Sequence, residues 1–177
     1  MVLVLSGPVH GGKTTFLERR LPDWTGRGII GYGFLSPAVT DENGDKGYDL
    51  AEVGTSLRLP YLRQQAEHGG EGIGPYAFVP ETLERARSII CDAEPSGLLV
   101  VDEVGPLELR GGGLWPVLRD ALARPERAVL LVAREGILAE LAAVLAPLVP
   151  AVFDIRDPAL CERLEASLFG ASGSDDH

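Results

Sequence analysis

The segment Gly7-Pro8-Val9-His10-Gly11-Gly12-Lys13-Thr14 reads G-x-x-x-x-G-K-T, and Thr15 continues it. This spacing can hold a chain of phosphates. Its glycines let successive backbone N–H groups turn inward around an anion. A helix starting where the loop ends adds partial positive charge at the same point. Lys13 would reach the β and γ phosphates as a catalytic cation, and the Thr14 hydroxyl would ligate magnesium. With 22 glycines in 177 residues, the glycines alone carry little weight. The lysine carries more. The chain has two lysines, Lys13 and Lys46, against fourteen arginines. One of the two stands where a compact ammonium is needed.

A second pair of residues completes the chemistry. Asp102-Glu103 follows the apolar run Leu98-Leu99-Val100-Val101, which reads as a buried parallel strand. A carboxylate at the end of such a strand is the usual partner of a phosphate-bound magnesium ion, so Asp102 and Thr14 are the expected metal residues. Glu103, one residue on, would orient or deprotonate an attacking water. Asp102-Glu103-Val104-Gly105 also fits the D-x-x-G pattern of GTPases. Pro106 stands where a glutamine would follow, and no N-K-x-D segment reads the base. Weak base selectivity is expected.

These residues need elements to place them. Met1–Ser6 is an apolar strand before the loop, and Thr15–Arg20 a helix that Pro22 is expected to stop. Gly28–Leu35 reads as a strand with glycine breaks. Asn43-Gly44 marks a hairpin turn, and Leu57–Tyr61, with its proline, suits an edge strand. Residues 31–63 are therefore expected to form an antiparallel flap, and residues 65–76 a glycine-rich loop. From Pro80, Leu83, Ala86, Ile89, Ile90 and Ala93 share one helical face. Strands over 98–103, 128–133 and 150–155 alternate with helices over 113–123 and 135–146, and a last helix is capped by Asp157-Pro158. Strands alternating with helices imply an α/β fold: a mainly parallel sheet covered on both faces, with ligands at the carboxyl ends of the strands. One domain over residues 1–169 and a disordered polar tail over 170–177 are expected.

The totals exclude some classes. A net charge of −10 opposes nucleic acid and anionic membrane as partners. The N-terminus opens directly into a strand, without a signal segment, so a cytoplasmic setting is expected. Cys91 and Cys161 fall in helices among apolar neighbours and read as buried thiols. The three histidines and two cysteines show no metal-ligand spacing.

Taken with the phosphate loop, Gly31-Tyr32-Gly33-Phe34, Gly74-Pro75-Tyr76-Ala77-Phe78-Val79 and Asp102-Glu103-Val104-Gly105-Pro106-Leu107-Glu108-Leu109 make the chain resemble the cancer-related nucleoside-triphosphatase family, also known from heat-loving prokaryotes. The resemblance runs from Val2 to about Leu168. It implies a P-loop fold akin to RecA-type ATPases and slow, magnesium-dependent hydrolysis of several nucleoside triphosphates to diphosphates. It carries Lys13, Thr14, Asp102 and Glu103 onto the roles above, and places Glu108 on a second glutamate expected to hold the loop after Asp102-Glu103. The chain departs from the family in having Ala38-Val39-Thr40 where E-V-R is usual, so a phosphate-facing arginine is missing. Arg134, where a small polar residue is usual, is expected to be a surface arginine, or else its replacement.

Two other functions share the loop. A nucleotide or nucleoside kinase would recruit Arg58, Arg63, Arg85 and Arg87 around an acceptor. A slow switch acting on an unknown protein partner would move the stretch Leu109–Trp115. A water-facing Glu103 belongs with the RecA-like strand order. The strand ending at Ala133 is therefore expected between the first strand and the one ending at Asp102.

Overall fold

The computed structural model describes residues 1–40, 44, 46–64 and 72–170. Ten strands among them form one sheet. Along the chain these are β1 (Val2–Gly7), β2 (Gly31–Leu35), β3 (Ala38–Thr40), β4 (Lys46–Glu52), β5 (Arg58–Gln64), β6 (Gly72–Ile73), β7 (Tyr76–Phe78), β8 (Leu98–Val104), β9 (Ala128–Arg134) and β10 (Ala151–Asp154). The spatial order is β10-β1-β9-β8-β2-β4-β5-β7-β6, with β3 on β4. The first five of these pair in parallel and the rest antiparallel. β9 lies between β1 and β8, as expected from the RecA-like strand order.

Helices α1 (Lys13–Gly26), α2 (Pro80–Asp92), α3 (Pro106–Leu109), α4 (Trp115–Leu122), α5 (Leu138–Leu145) and α6 (Leu160–Gly170) follow the strands. Alternate residues of the central strands face opposite ways, as the pleat dictates. Val2, Val4, Leu99, Val101, Val129 and Leu131 pack under α2, α4 and α5. Leu3, Leu5, Leu98, Val100, Leu130 and Val132 pack under α1 and α6. Burial on both faces explains why these strands read as unbroken apolar runs. No helix among the described residues is long and apolar enough to cross a membrane.

Several local expectations change. Pro22 lies inside α1 rather than ending it. An interior proline costs about 3 kcal/mol. Buried Leu17, Leu21 and Trp24 recover roughly 1.5–3 kcal/mol each, and the Trp24 indole donates to Glu165 of α6 at 3.0 Å. The helix therefore runs through the proline. β2 belongs to the parallel part, paired with β8, so the antiparallel extension starts only after it. β5 is internal, between β4 and β7. Pro60 is tolerated there because it faces Asp49 at a bulge, and pairing with β7 starts only at Leu62.

β3 and β4 pair antiparallel, with Thr40 opposite Lys46; the expected Asn43-Gly44 turn falls largely outside the described residues, as do the start of the expected 65–76 loop and residues 171–177. Residues 72–73 and 76–78 are a short antiparallel pair rather than loop. The helix expected over 113–123 starts at Trp115, after a separate α3. The one expected over 135–146 opens with a 3-10 turn over Glu135–Ile137. The last strand is Ala151–Asp154. Asp157 accepts the N–H of Ala159 at 2.9 Å in the turn that leads into α6. Cys91 is exposed and Cys161 half-buried, so neither is a core thiol; both are free.

Two backbone features hold the sheet and its cover. Gly33 sits at φ 100°, where a Cβ would lie 1.9 Å from the Val100 carbonyl oxygen. Only glycine lets β2 approach β8 this closely. Arg127, 1% exposed, directs its guanidinium onto the carbonyls of Ile90 and Ala93 at the end of α2. A buried cation thus satisfies carbonyls that the helix leaves unpaired.

Gly33→Ala is expected to destabilise the fold by about 3 kcal/mol or more, through φ strain and a backbone clash. Gly136→Ala, where a Cβ meets nothing within 4 Å, should stay within about 0.5 kcal/mol of the parent. Urea denaturation of both variants checks this; matching midpoints would show that β2 has room to spare.

Candidate functional site

β1 delivers the chain into a loop that begins at Gly7 and ends at Gly12, the left-handed residue (φ 84°) preceding α1. No side chain caps α1. The first N–H groups of a helix have no intrahelical partner, so they are available to an anion. His10 also has positive φ, 58°, and the Gly11 N–H bonds to the Pro8 carbonyl at 3.0 Å. The loop is thus a curl of backbone that lines one cavity from Val9 to Gly12. Lys13 is 6% exposed. Its ammonium lies within the curl, donating to the Pro8 carbonyl at 2.8 Å and the Gly7 carbonyl at 3.2 Å.

Across one intervening strand, β8 carries Asp102 two residues before its end. The Asp102 side chain is buried, and one carboxylate oxygen, Oδ2, accepts two hydrogen bonds. The Thr14 hydroxyl donates at 2.7 Å and the Ser36 N–H at 3.1 Å. The Ser36 hydroxyl also donates to the Asp102 carbonyl. Burial pushes the Asp102 carboxyl up from 3.8 to about 6, against the opposing bonds from Thr14 and Ser36. Thr14 and Asp102 offer two hard oxygen donors side by side, a set suited to magnesium that is also held by phosphates and water. Among the described residues, no group of three or more His, Cys, Asp or Glu gathers into another metal-holding cluster.

Glu103 takes the other direction. Asp102 pairs with Val132 and Val104 with Ala133, leaving Glu103 as an extra residue in the β8–β9 register. Such a bulge re-aims a side chain. The Asp102–Glu103 peptide is cis. Glu103 faces the same cavity as the loop and meets Arg134, whose Nε donates to its carboxylate at 2.5 Å. Arg134 ends β9 directly beside Gly7. It lines the cavity, with its side chain 42% exposed. Ala38, the first residue of the Ala38-Val39-Thr40 segment, lines the cavity too, whereas Thr40, in the place of the missing family arginine, is not part of its lining.

The cavity measures about 620 Å³ and takes in Val9 to Thr15, Glu103, Gly105, Pro106 and Arg134. It continues past Ser36 to Tyr48, Tyr61, Tyr76 and Phe78. Glu108, 1% exposed, stays outside. Its carboxylate accepts the Gly105 N–H at 2.9 Å and the Leu114 N–H at 3.3 Å. It therefore fastens the segment after Asp102-Glu103. The glycine-rich stretch that follows is held as well: Arg87 donates to the Gly113 carbonyl at 2.8 Å, and Gly112 N–H to the Leu107 carbonyl at 3.0 Å.

Sequence reasoning singled out Lys13, Thr14, Asp102 and Glu103, and the fold brings all four together. It missed Ser36, for which a lone serine after a glycine-broken strand gave no signal. It missed the aromatic wall too, whose members are spread over β4, β5 and β7.

The family model described as NTPase matches residues 2–148. The chain is 26% identical over 113 residues to the nucleoside-triphosphatase THEP1 of Hyperthermus butylicus, covering 63% of this chain and 60% of that one. It therefore spans less than two thirds of that relative. With THEP1 of Methanopyrus kandleri the identity is 27% over 131 residues, 73% of this chain and 72% of the other. Two solved structures share the fold. The human cancer-related nucleoside triphosphatase in solution superposes with a TM-score of 0.72 at 21% identity, over 99% of both chains. The crystal structure of THEP1 from Aquifex aeolicus gives 0.72 at 18% identity, over 93% of this chain and 98% of the other.

The burial of Asp102 has a measurable pH signature. Its folded value lies above its unfolded one, so the folded state holds the proton more tightly. The stabilisation is complete below about pH 3.8 and is lost as pH rises through about 6. A rise from 3.8 to about 6 corresponds to at most about 3 kcal/mol. In chelator, Asp102→Asn should therefore be more stable than the parent above pH 6, by about 1–3 kcal/mol. It should lose the parent's decline between pH 4 and 6. Denaturant midpoints across pH 4–8 check this, and parallel pH curves for the two proteins would refute it.

Proposed function

The chain belongs to the NTPase family, and from that premise we propose that it is a magnesium-dependent nucleoside triphosphatase, releasing phosphate and a nucleoside diphosphate from several triphosphates. One observation carries this reading: Lys13, Thr14 and Glu103 line one cavity, and Asp102 is buried behind Thr14, bonded to its hydroxyl at 2.7 Å.

The loop backbone and the start of α1 would hold the α and β phosphates. Lys13 would turn from the Gly7 and Pro8 carbonyls to the β and γ oxygens, exchanging dipoles for full charges. Thr14 and Asp102 would hold magnesium, which when bound neutralises charge on the phosphates. Their oxygen chemistry and the 2.7 Å contact between them fit that ion. Glu103 would accept the proton of the attacking water and align it with the γ phosphorus. Arg134 keeps the Glu103 carboxylate oriented through Nε, and its remaining N–H donors supply positive charge toward the γ end. No base-reading segment follows the loop, which supports a broad choice of base.

Glu103→Gln separates binding from chemistry. Glutamine keeps the size but cannot take the proton. General bases typically contribute ~10²–10⁴ in rate. The variant is expected to bind triphosphate as tightly as the parent and to turn it over at least ~100-fold more slowly. Single-turnover rate and affinity, measured on one sample, check this. A loss of less than about threefold with intact binding would remove Glu103 from the role of base. Lys13→Ala should abolish hydrolysis and weaken binding; unchanged turnover would refute the loop assignment.

A further inference from the structure

The cavity extends beyond the residues assigned to hydrolysis. Beyond Ser36 it is walled by Tyr48, Tyr61, Leu62, Tyr76, Phe78 and Pro37. Tyr61 and Phe78 are buried, 5.0 Å apart between ring centroids, and form the floor. Tyr48 and Tyr76 stand half-buried at the rim, edge to face at 5.6 Å. These six residues carry no charge, and Glu18, which also lines the cavity, is paired with Arg58 of β5 at 3.6 Å. Aromatic faces give a triphosphate nothing to bind. They suit a flat ring, which gains about 1–3 kcal/mol from each stacking contact.

The wall also stands on the wrong side for the substrate's own base. Carboxyl ends of the strands follow the sheet order: loop after β1, Arg134 after β9, Asp102-Glu103 after β8, Ser36 after β2, then the aromatics of β4, β5 and β7. The α and β phosphates lie over the loop, and Lys13 and Thr14 mark the β–γ end. The γ phosphate therefore points toward Glu103, and the base leaves from the opposite end. What rests on the wall meets the γ phosphate from the acceptor side.

We propose that this wall is an acceptor subsite for a nucleoside, and that the protein transfers the γ phosphoryl group to a nucleoside hydroxyl. The inference rests on the triphosphatase reading and extends it. The ring stacks against Tyr48 and Tyr76, and the sugar reaches back past Ser36. Glu103 takes the hydroxyl proton. A bond forms from that oxygen to the γ phosphorus as the bond from phosphorus to the β–γ bridging oxygen breaks, giving a nucleoside monophosphate and a nucleoside diphosphate. The acceptor is a neutral nucleoside rather than a nucleotide. The nearby cations are committed, Arg63 to Asp49 at 2.6 Å and to the Tyr48 carbonyl at 2.7 Å, and Arg58 to Glu18 at 3.6 Å. Among the described residues, no lid of arginines awaits a second phosphate. Without an acceptor, water takes its place.

The test uses γ-labelled ATP with magnesium and, one at a time, adenosine, guanosine, cytidine, uridine and thymidine. Label should appear in at least one nucleoside monophosphate. Tyr48→Ala and Tyr76→Ala should each lower transfer at least ~10-fold while phosphate release without acceptor stays within about twofold, which also shows that the variants fold. Tyr76→Phe, which keeps the ring, should retain transfer. Hydrolysis with no labelled nucleoside in any arm overturns the proposal and leaves the triphosphatase reading standing. A raised KM for ATP in Tyr76→Ala, with no effect on transfer, overturns it by assigning the wall to the substrate's base. A parent without phosphate release or transfer overturns both readings.

Discussion

One oxygen organises this site. Asp102 Oδ2 accepts hydrogen bonds from both the Thr14 hydroxyl and the Ser36 N–H. Three stretches of chain meet at that atom: the start of α1, β8 near its end and the turn after β2. A carboxylate buried this deeply is costly unless it is bonded. Its two donors lower that cost without removing it, since burial still pushes the carboxyl up to about 6. The residual cost is useful. A carboxylate short of charge compensation is one prepared for a cation, and stability given up at a site is commonly matched by binding there.

Much of this was legible because it rests on local rules. The loop is read from glycine, lysine and threonine at fixed spacing, and the buried strands from apolar runs that only two-sided cover explains. The place of β9 was expected from the likeness to RecA-type proteins, whose strand order goes with a second carboxylate after the first. The failures are tertiary. Pro22 forecast the end of α1, yet Trp24 buried against α6 outweighs it. Pro60 forecast an edge, yet a bulge opposite Asp49 admits it to the interior of the sheet. Arg134 keeps the exposure of a surface residue, yet nothing in sequence shows that β9 lays it beside Gly7. Cys91 sat among apolar letters but on the outer face of α2.

The aromatic wall illustrates the limit best. Tyr48, Tyr61, Tyr76 and Phe78 come from three strands with no shared motif, and each alone reads as ordinary strand composition. Antiparallel pairing of β4, β5 and β7 sets them side by side. A cleft made by register has no signature in the order of letters. The phosphate loop, made by one continuous stretch, has a strong one.

The position of β1 also dictates when the site can exist. β1 is synthesised first, yet its strand partners are β9 and β10. Its four apolar residues Val2–Leu5 are all buried in the finished sheet. A ribosome adding about 5–20 residues per second needs roughly 6–25 s to reach the end of β9 from the end of β1. Throughout that interval β1 is an unpaired apolar strand on the nascent chain. The phosphate loop cannot be held against Asp102 until β8 has emerged, and β9 must then fill the place between them. The site therefore closes only once β9 is made, and newborn β1 is the segment that most needs shielding from other chains.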